Sequence, residues 1–476
     1  MPTAGYLNTC YMQIMWEFAQ KPHENSVFMI YRTILDELNA WKDPPDRKPL
    51  LLKGARQIGK TWAMERFGSD NFEFTAKFDF DETRELCGVF ERTRDVGRLL
   101  KELALYTDVP LEAGRTLIVL DEIQACEAAL NSLKYFCENA PEYHVVAAGS
   151  LLGVAVKKKK MNVPVGKVTI LTMHPVTFSE FLRTSDERTW KYMDELDEIA
   201  RLPEIVMSRL ELEYRRYLVC GGMPEAAAAL LENRGTAQVD KVLQDILDLY
   251  ELDFAKYADA REIPRIHAVW NSLPSQLAKE NRKFLYNVVK SGARAREYED
   301  ALLWLEEAGV VQRCFNVSRP GIPLSAYRDI SAFKVYACDC GLLRRLARVS
   351  PEVILGGNAN YTEFRGALAE NAVLQSLLPQ CEDTPYYWSA DGRAEVDFLL
   401  PLPTEAVPVE VKSERRISGK SLSVYAKKYQ PSRRVRFSMN NLQQNDGLLS
   451  CPLPLADWTI RLLALCPPST TAADEQ

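Results

Sequence analysis

The sequence predicts an α/β protein in which a parallel sheet wrapped by helices is followed by a helical region and then by a second, mixed sheet. Three observations carry this. Short apolar runs alternate with helical stretches up to about residue 185, the strand signal vanishes between about 186 and 265, and strands return near the C-terminus.

The first 28 residues show no clear period and read as an N-terminal extension. The pattern sharpens at MIYRTILDELNAW, where Ile30, Ile34, Leu35 and Leu38 recur at helical spacing. PLLLKG at 49–54 is a short apolar run ending in glycine, as suits a buried parallel strand. FTAKFDF at 74–80, TLIVLD at 116–121, HVVAAG at 144–149 and VTILT at 168–172 repeat the signal, with helices such as ALNSLKYFCENA at 129–140 between them. These runs define an expected first domain at 29–185. RLELEYRRYLV and VLQDILDLYELDF then place apolar residues three and four apart, so 186–265 reads as a helical lid or linker, interrupted by GGMPE at 221–225. Short helices, the helix EYEDALLWLEEAG, the strand VVQRCFNV and a Pro-Gly turn suggest a winged-helix-like module at 266–350. The remainder, 351–465, begins with the helix FRGALAENAVLQSLL and continues with YYWSA, AEVDFLLP, AVPVEVKS, a helix near 421–429 and RVRFSM. Residues 466–476 read as a disordered tail.

Bulk properties agree with several domains. The chain has 476 residues, and single cores stop growing at roughly 250–300. With 47% hydrophobic and 26% charged residues it has the composition of a globular protein. No apolar run is long enough to span a bilayer and no secretory signal opens the chain, so no membrane association and a cytoplasmic location are expected. Eleven cysteines at irregular spacing cannot all pair and read as thiols, and His23, His144, His174 and His267 are isolated from one another. A net charge of −6 argues against a uniformly basic nucleic-acid binder. The charge is uneven, however. Nine Lys or Arg and only Glu414 among acids lie between Lys412 and Arg436, which fits either a solvated face or a contact for DNA or RNA.

The chemistry starts at GARQIGKT, residues 54–61. Phosphates need backbone N–H donors at close range, and a glycine-containing loop between a strand and a helix supplies them. Gly54, Ala55, Arg56, Gln57, Ile58 and Gly59 form that loop. Lys60 is placed to reach the β and γ phosphates and Thr61 to bind Mg2+ through its hydroxyl. ATP with Mg2+ is therefore the expected cofactor pair, and the first sheet is expected to be of the P-loop NTPase type. Asp121 ends an apolar strand, where it can hold the metal; Glu122 beside it can polarise the attacking water. An aspartate there could instead cap a helix. Ser150, after HVVAAG, is a candidate γ-phosphate sensor or helix cap. Lys167, Arg215 and Arg216 are candidates for a transition-state cation, with surface pairing an equal reading.

A second constellation lies in the C-terminal region. Asp397, followed after twelve residues by Glu410-Val411-Lys412, matches a metal-dependent nuclease pattern in which two carboxylates hold the ion and lysine orients water. Strand alternation puts Glu410 and Lys412 on one face. Glu370, on the preceding helix, could complete the acidic set. Alternating charge on a solvated strand is the plainer alternative. The run Lys157 to Lys160 could contact phosphate or form a solvated loop.

In order, YRTILDELNAW, GARQIGKT, TLIVLDEIQ, AAGSLLG, LTMHPVTFSEFL, YLVCGGMPE, EVDFLLP and VEVKS resemble an uncharacterised family of prokaryotic ATP-binding proteins. Its members fuse an AAA-type P-loop ATPase module to a C-terminal PD-(D/E)XK nuclease-like domain with a restriction-endonuclease-like α/β fold. The resemblance covers about 30–465. Where the family carries Gly-Arg, this chain has Gly166-Lys167, which keeps the charge and loses the bidentate fork. The first reading is an ATPase whose nucleotide cycle moves the helical region and winged helix and thereby controls nucleic-acid binding or cutting by the C-terminal domain. The alternative is a slow nucleotide-dependent switch whose nuclease-like domain is inactive and docks a partner. AAA-type modules often form rings, so an oligomer is compatible with the resemblance.

Overall fold

The computed structural model describes residues 29–469 apart from 151–152, 155–163, 165, 280–281, 357–361, 391–393 and 416–419. The N-terminal extension, the lysine run 157–160 and most of the expected tail lie outside the described residues.

Five strands form the first sheet: β1 (Leu50–Lys53), β2 (Phe74–Asp79), β3 (Thr116–Asp121), β4 (His144–Ala148) and β5 (Thr169–Thr172). All pair in parallel, in the order β2-β3-β4-β1-β5. β3 and β4 are buried at every residue, which explains their unbroken apolar runs, since side chains on both faces meet helices. The order places β4 between β1 and β3. The loops leaving those three strands therefore emerge side by side at the C-terminal edge of the sheet, where ligands of open parallel sheets bind.

One apolar cluster covers one face of this sheet and runs on through the helical region into the C-terminal part; a second, from Leu51 through Phe90 to Ala147, fills the other face. In that second core Cys87 and Cys126 are joined by a disulfide, with 5.6 Å between Cα atoms. This departs from the expectation of thiols throughout. A separation of 39 residues carries no sign of the pairing in the sequence.

The helical region contains Glu187–Asp194, Glu204–Cys220, Pro224–Leu231 and the long helix Thr236–Tyr257. It runs on into Ile263–Leu277, which crosses the expected break at 265. After Tyr286–Val289 and Ala295–Glu307 comes a hairpin of β6 (Val311–Val317) and β7 (Arg328–Ala337), the helices-then-hairpin order expected for the winged-helix-like module.

The hairpin does not stand alone. β6 pairs in parallel with β8 (Tyr386–Ala390) at Asn316 and Tyr387. It thereby joins β9 (Ala394–Pro401), β10 (Ala406–Val411), β11 (Arg434–Ser438), β12 (Gln443–Asn445) and β13 (Leu448–Pro452) in one eight-stranded mixed sheet, ordered β12-β13-β11-β10-β9-β8-β6-β7. The module and the C-terminal region thus share a backbone ladder. The helix Thr362–Leu377 packs on this sheet, and Lys420–Tyr429 covers another part of it, where Trp388 meets Tyr425 edge-on at 5.2 Å. Among the described residues no helix is long and apolar enough to cross a membrane.

Candidate nucleotide site

The loop after β1 is shaped by backbone strain that glycine relieves. Gly54 (φ 149°) lies so near β5 that a Cβ would sit 2.4 Å from the Met173 carbonyl oxygen, and Gly59 turns into the following helix at φ 89°. Gln57 is also left-handed, at φ 65°. The helix Lys60–Asn71 then starts with its free N–H groups directed at the loop, an anion-favouring end.

Lys60 is 7% exposed, and its Nζ donates to the carbonyls of Gly54 (3.1 Å) and Ala55 (2.7 Å). Burial pulls its ammonium down to about 8, against the opposing pull of Glu122 and Asp121. It is a desolvated cation with carbonyl dipoles and, among the described residues, no bonded carboxylate, which favours an incoming phosphate. Thr61 donates its hydroxyl to Asp121 Oδ2 at 2.6 Å, so the helix start and the end of β3 meet as expected. These two hard oxygens, adjacent to a buried lysine, fit a magnesium ion. Asp121 Oδ1 also accepts the Glu122 N–H at 3.0 Å, and Lys77 on β2 comes within 4.0 Å of Oδ2.

Glu122 itself turns left-handed at φ 49°. Its Oε2 accepts from the Gln124 amide and from Ser150 Oγ at 3.4 Å. Ser150 therefore faces the carboxylate of Glu122. Of the candidate transition-state cations, Lys167 pairs with Glu138 at 2.9 Å, Arg216 with Glu213 at 3.0 Å, and Arg215 donates to the Leu355 carbonyl at 3.4 Å. Each is engaged outside the phosphate loop.

Several residues at the site escaped the sequence reading. Arg32, 4% exposed, donates to the Ile58 carbonyl inside the loop (2.8 Å), to the His174 carbonyl (2.6 Å) and to Glu180 (3.1 Å). Glu180 belongs to a capping box with Thr177, so the PVTFSEF segment is tied to the phosphate loop through one guanidinium. Arg56 reaches Asp253 on the long helix at 2.5 Å, and Tyr250 of that helix donates to the Arg56 carbonyl at 2.9 Å. Gly309 lies against Ala55, its Cβ position 3.3 Å from the Ala55 nitrogen. Beside the loop a cleft of about 550 Å³ is lined by Met29, Ile30, Gly59, Trp62, Pro224 and Ala228 together with the charged Arg32, Arg66 and Glu225.

In the C-terminal constellation each acidic side chain has a partner. Glu370 pairs with Arg282, lies 3.9 Å from Lys334 Nζ and accepts from the Tyr336 hydroxyl at 3.1 Å. Glu410 pairs with Arg436 at 3.0 Å and with Lys412 at 3.4 Å, while Asp397 accepts the Val411 N–H at 2.7 Å. Among the described residues no group of three His, Cys, Asp or Glu is placed to hold a metal ion. Glu410 and Lys412 share a face, and in this arrangement Glu370 and Glu410 are ion-paired with Arg282 and Arg436.

Comparison with known proteins bears on the first site. Residues 46–182 match a family model for an AAA domain. Residues 211–353 and 365–456 match two further models, each described only as a domain of unknown function (DUF8612 and DUF4143). No curated protein matches. Solved structures that resemble the chain include a Walker-type ATPase of Pyrococcus abyssi, at 13% identity over 69% of this chain and 99% of that one, with TM-score 0.44. Others are the ORC2 protein of Aeropyrum pernix (13%, 70% and 97%, TM-score 0.33) and the RuvB Holliday junction branch migration motor of Thermotoga maritima (16%, 60% and 90%, TM-score 0.28).

Proposed function

We propose that the chain hydrolyses ATP with Mg2+ at the loop 54–61 and passes the nucleotide state to its C-terminal part. The observation that carries the reading is the meeting of Lys60, Thr61, Asp121 and Glu122 at one edge of a parallel sheet, with a 2.6 Å bond between Thr61 and Asp121. The backbone amides of 55–59 and Lys60 bind the phosphates; Thr61 and Asp121 hold the magnesium ion, which when bound neutralises phosphate charge. Glu122 accepts a proton from the attacking water. The base lies in the cleft beside Gly59, against Trp62 and Pro224, where the aromatic face of Trp62 suits a purine.

Transmission follows from what touches the loop. Arg56 is bonded to the long helix through Asp253 and Tyr250, and Ala55 abuts Gly309, just ahead of β6. Phosphates that reorganise residues 55–60 act directly on the helical region and on the hairpin. The units 29–185, 186–265, 266–350 and 351–465 are parts of this proposal.

The ion-paired Glu370 and Glu410 favour the second form of the reading, in which the nuclease-like domain docks a partner or nucleic acid without cutting it. Lys420, Lys427 and Lys428 on the helix Lys420–Tyr429 are the cations offered to a phosphate backbone. The test of the ATPase is Glu122→Gln. It should retain ATP binding and lose turnover by about 10²-fold or more; normal turnover would remove Glu122 from the mechanism. For nucleic acid, affinity should fall steeply with salt, and a flat response points to a protein partner.

A further inference from the structure

Gln124 stands at the nucleotide site without a part in the mechanism above. It lies in the short 3-10 turn Ile123–Ala125, which follows the left-handed Glu122. That turn brings its side chain back over the preceding carboxylate. Gln124 is 5% exposed, its Nε2 donates to Glu122 Oε2, and its Oε1 has no hydrogen-bond partner among the described residues. Buried amides are normally satisfied at both ends, so an orphaned oxygen beside a reacting carboxylate calls for a role.

Gly149 makes this placement possible. It directly follows β4, and a Cβ on it would lie 2.3 Å from Gln124 Oε1 and 3.3 Å from Gln124 Cδ. Its backbone is outside the left-handed region, so the constraint here is the close approach of the amide. Ser150, the next residue, adds its hydroxyl to the same Glu122 oxygen at 3.4 Å. Both donors use Oε2, and neither occupies Oε1.

We propose that Gln124 is the positioning residue of Glu122. It fixes the carboxylate through Oε2, with Ser150 as second donor, and leaves Oε1 to take the proton of the attacking water. An amide suits this task because it donates without adding charge, whereas lysine or arginine would neutralise the base by ion pairing. The glycine at 149 is the cavity that holds the amide in that pose. This inference rests on the reading of Glu122 as the residue that polarises water.

The experiment compares steady-state turnover with the affinity for a fluorescent ATP analogue in five variants of the full chain, the Gln124→Ala single variant serving as reference for the double one. Gln124→Leu is expected to lower kcat by about 10- to 100-fold, as loss of a supporting partner does at other preorganised sites, with KM and analogue affinity unchanged. Gly149→Ala, which crowds the amide from the other side and leaves Gln124 in place, should lower kcat in the same way. Combined with Gln124→Ala, Gly149→Ala should add no further loss, since the clash partner is gone. Glu122→Gln separates the two levels of the argument. If it abolishes turnover while Gln124→Leu and Gly149→Ala keep full kcat, the positioning role is wrong and the ATPase reading stands. If Glu122→Gln turns over normally, both fall. Loss of nucleotide affinity in step with rate would also overturn the proposal, because it would mark Gln124 as a general support of the loop.

Discussion

Raising the pH from 7 to 9 should weaken ATP binding about tenfold through Lys60 alone. Burial under the loop carbonyls brings its ammonium from 10.5 down to about 8 in the free protein. The phosphates demand the charged form, so apparent affinity follows the charged fraction of the free protein: about ten parts in eleven at pH 7 and about one in eleven at pH 9. Beyond pH 8 each unit costs up to about 1.4 kcal/mol of binding free energy. A titration with a fluorescent ATP analogue at saturating Mg2+ and fixed ionic strength reads the slope. Calorimetry in buffers of different ionisation enthalpy should show nearly one proton taken up per nucleotide at pH 9. Lys60→Arg keeps its charge across this range, so its binding, though weaker for want of the lysine geometry, should be flat with pH. Stability of the free protein moves the other way. The folded form binds fewer protons than the unfolded one between about 8 and 10.5, so the penalty of burying the charge is fully present below pH 8 and is relieved as pH rises through that window. Constant affinity and no proton uptake up to pH 9.5 would refute the reasoning.

Other outcomes follow from the neighbouring contacts. Asp253→Ala leaves Arg56 without its carboxylate and should lower stability by about 1 to 3 kcal/mol in urea unfolding; an Arg56→Ala, Asp253→Ala pair whose effects simply add would show that the contact carries no coupling. Trp62→Ala should weaken ATP by about 1 to 3 kcal/mol with little change for inorganic triphosphate, which has no base to stack. With Glu370 and Glu410 ion-paired, wild-type protein in Mg2+ or Mn2+ should nick DNA and RNA no faster than Asp397→Ala or Lys412→Ala; nicking lost in those variants would reinstate a nuclease site.

Much of this was legible in sequence because burial on both faces writes itself as uninterrupted apolar runs. TLIVLD was read at 116–121 and is β3, and the other four strands of the first sheet fall within a residue of their runs. The phosphate loop was legible because glycine and lysine spacing there answers to ligand geometry. Pairings across long separations were not. Arg32 meets Glu180 148 residues away, and Arg56 meets Asp253 197 residues away; neither arginine differs locally from a surface one. β12 and β13 were missed since QQN is polar and LLSCP lacks alternation, their strand state being imposed by pairing with each other and with β11. The carboxylates of the C-terminal set stood at suitable spacing, but spacing cannot reveal that Arg282 and Arg436 reach them first.

The continuous ladder from β7 to β12 has a mechanical consequence. β6 begins at Val311, two residues beyond the glycine that rests on Ala55, and it is held on both edges, by β7 and by β8. A push at the phosphate loop is thus applied to the end of a strand that has no free side on which to slip. Packed sheets tilt more readily than they deform. The outlets are a tilt of all eight strands together or a give at the irregularity between Phe315 and Asn316, where the register of the hairpin already shifts.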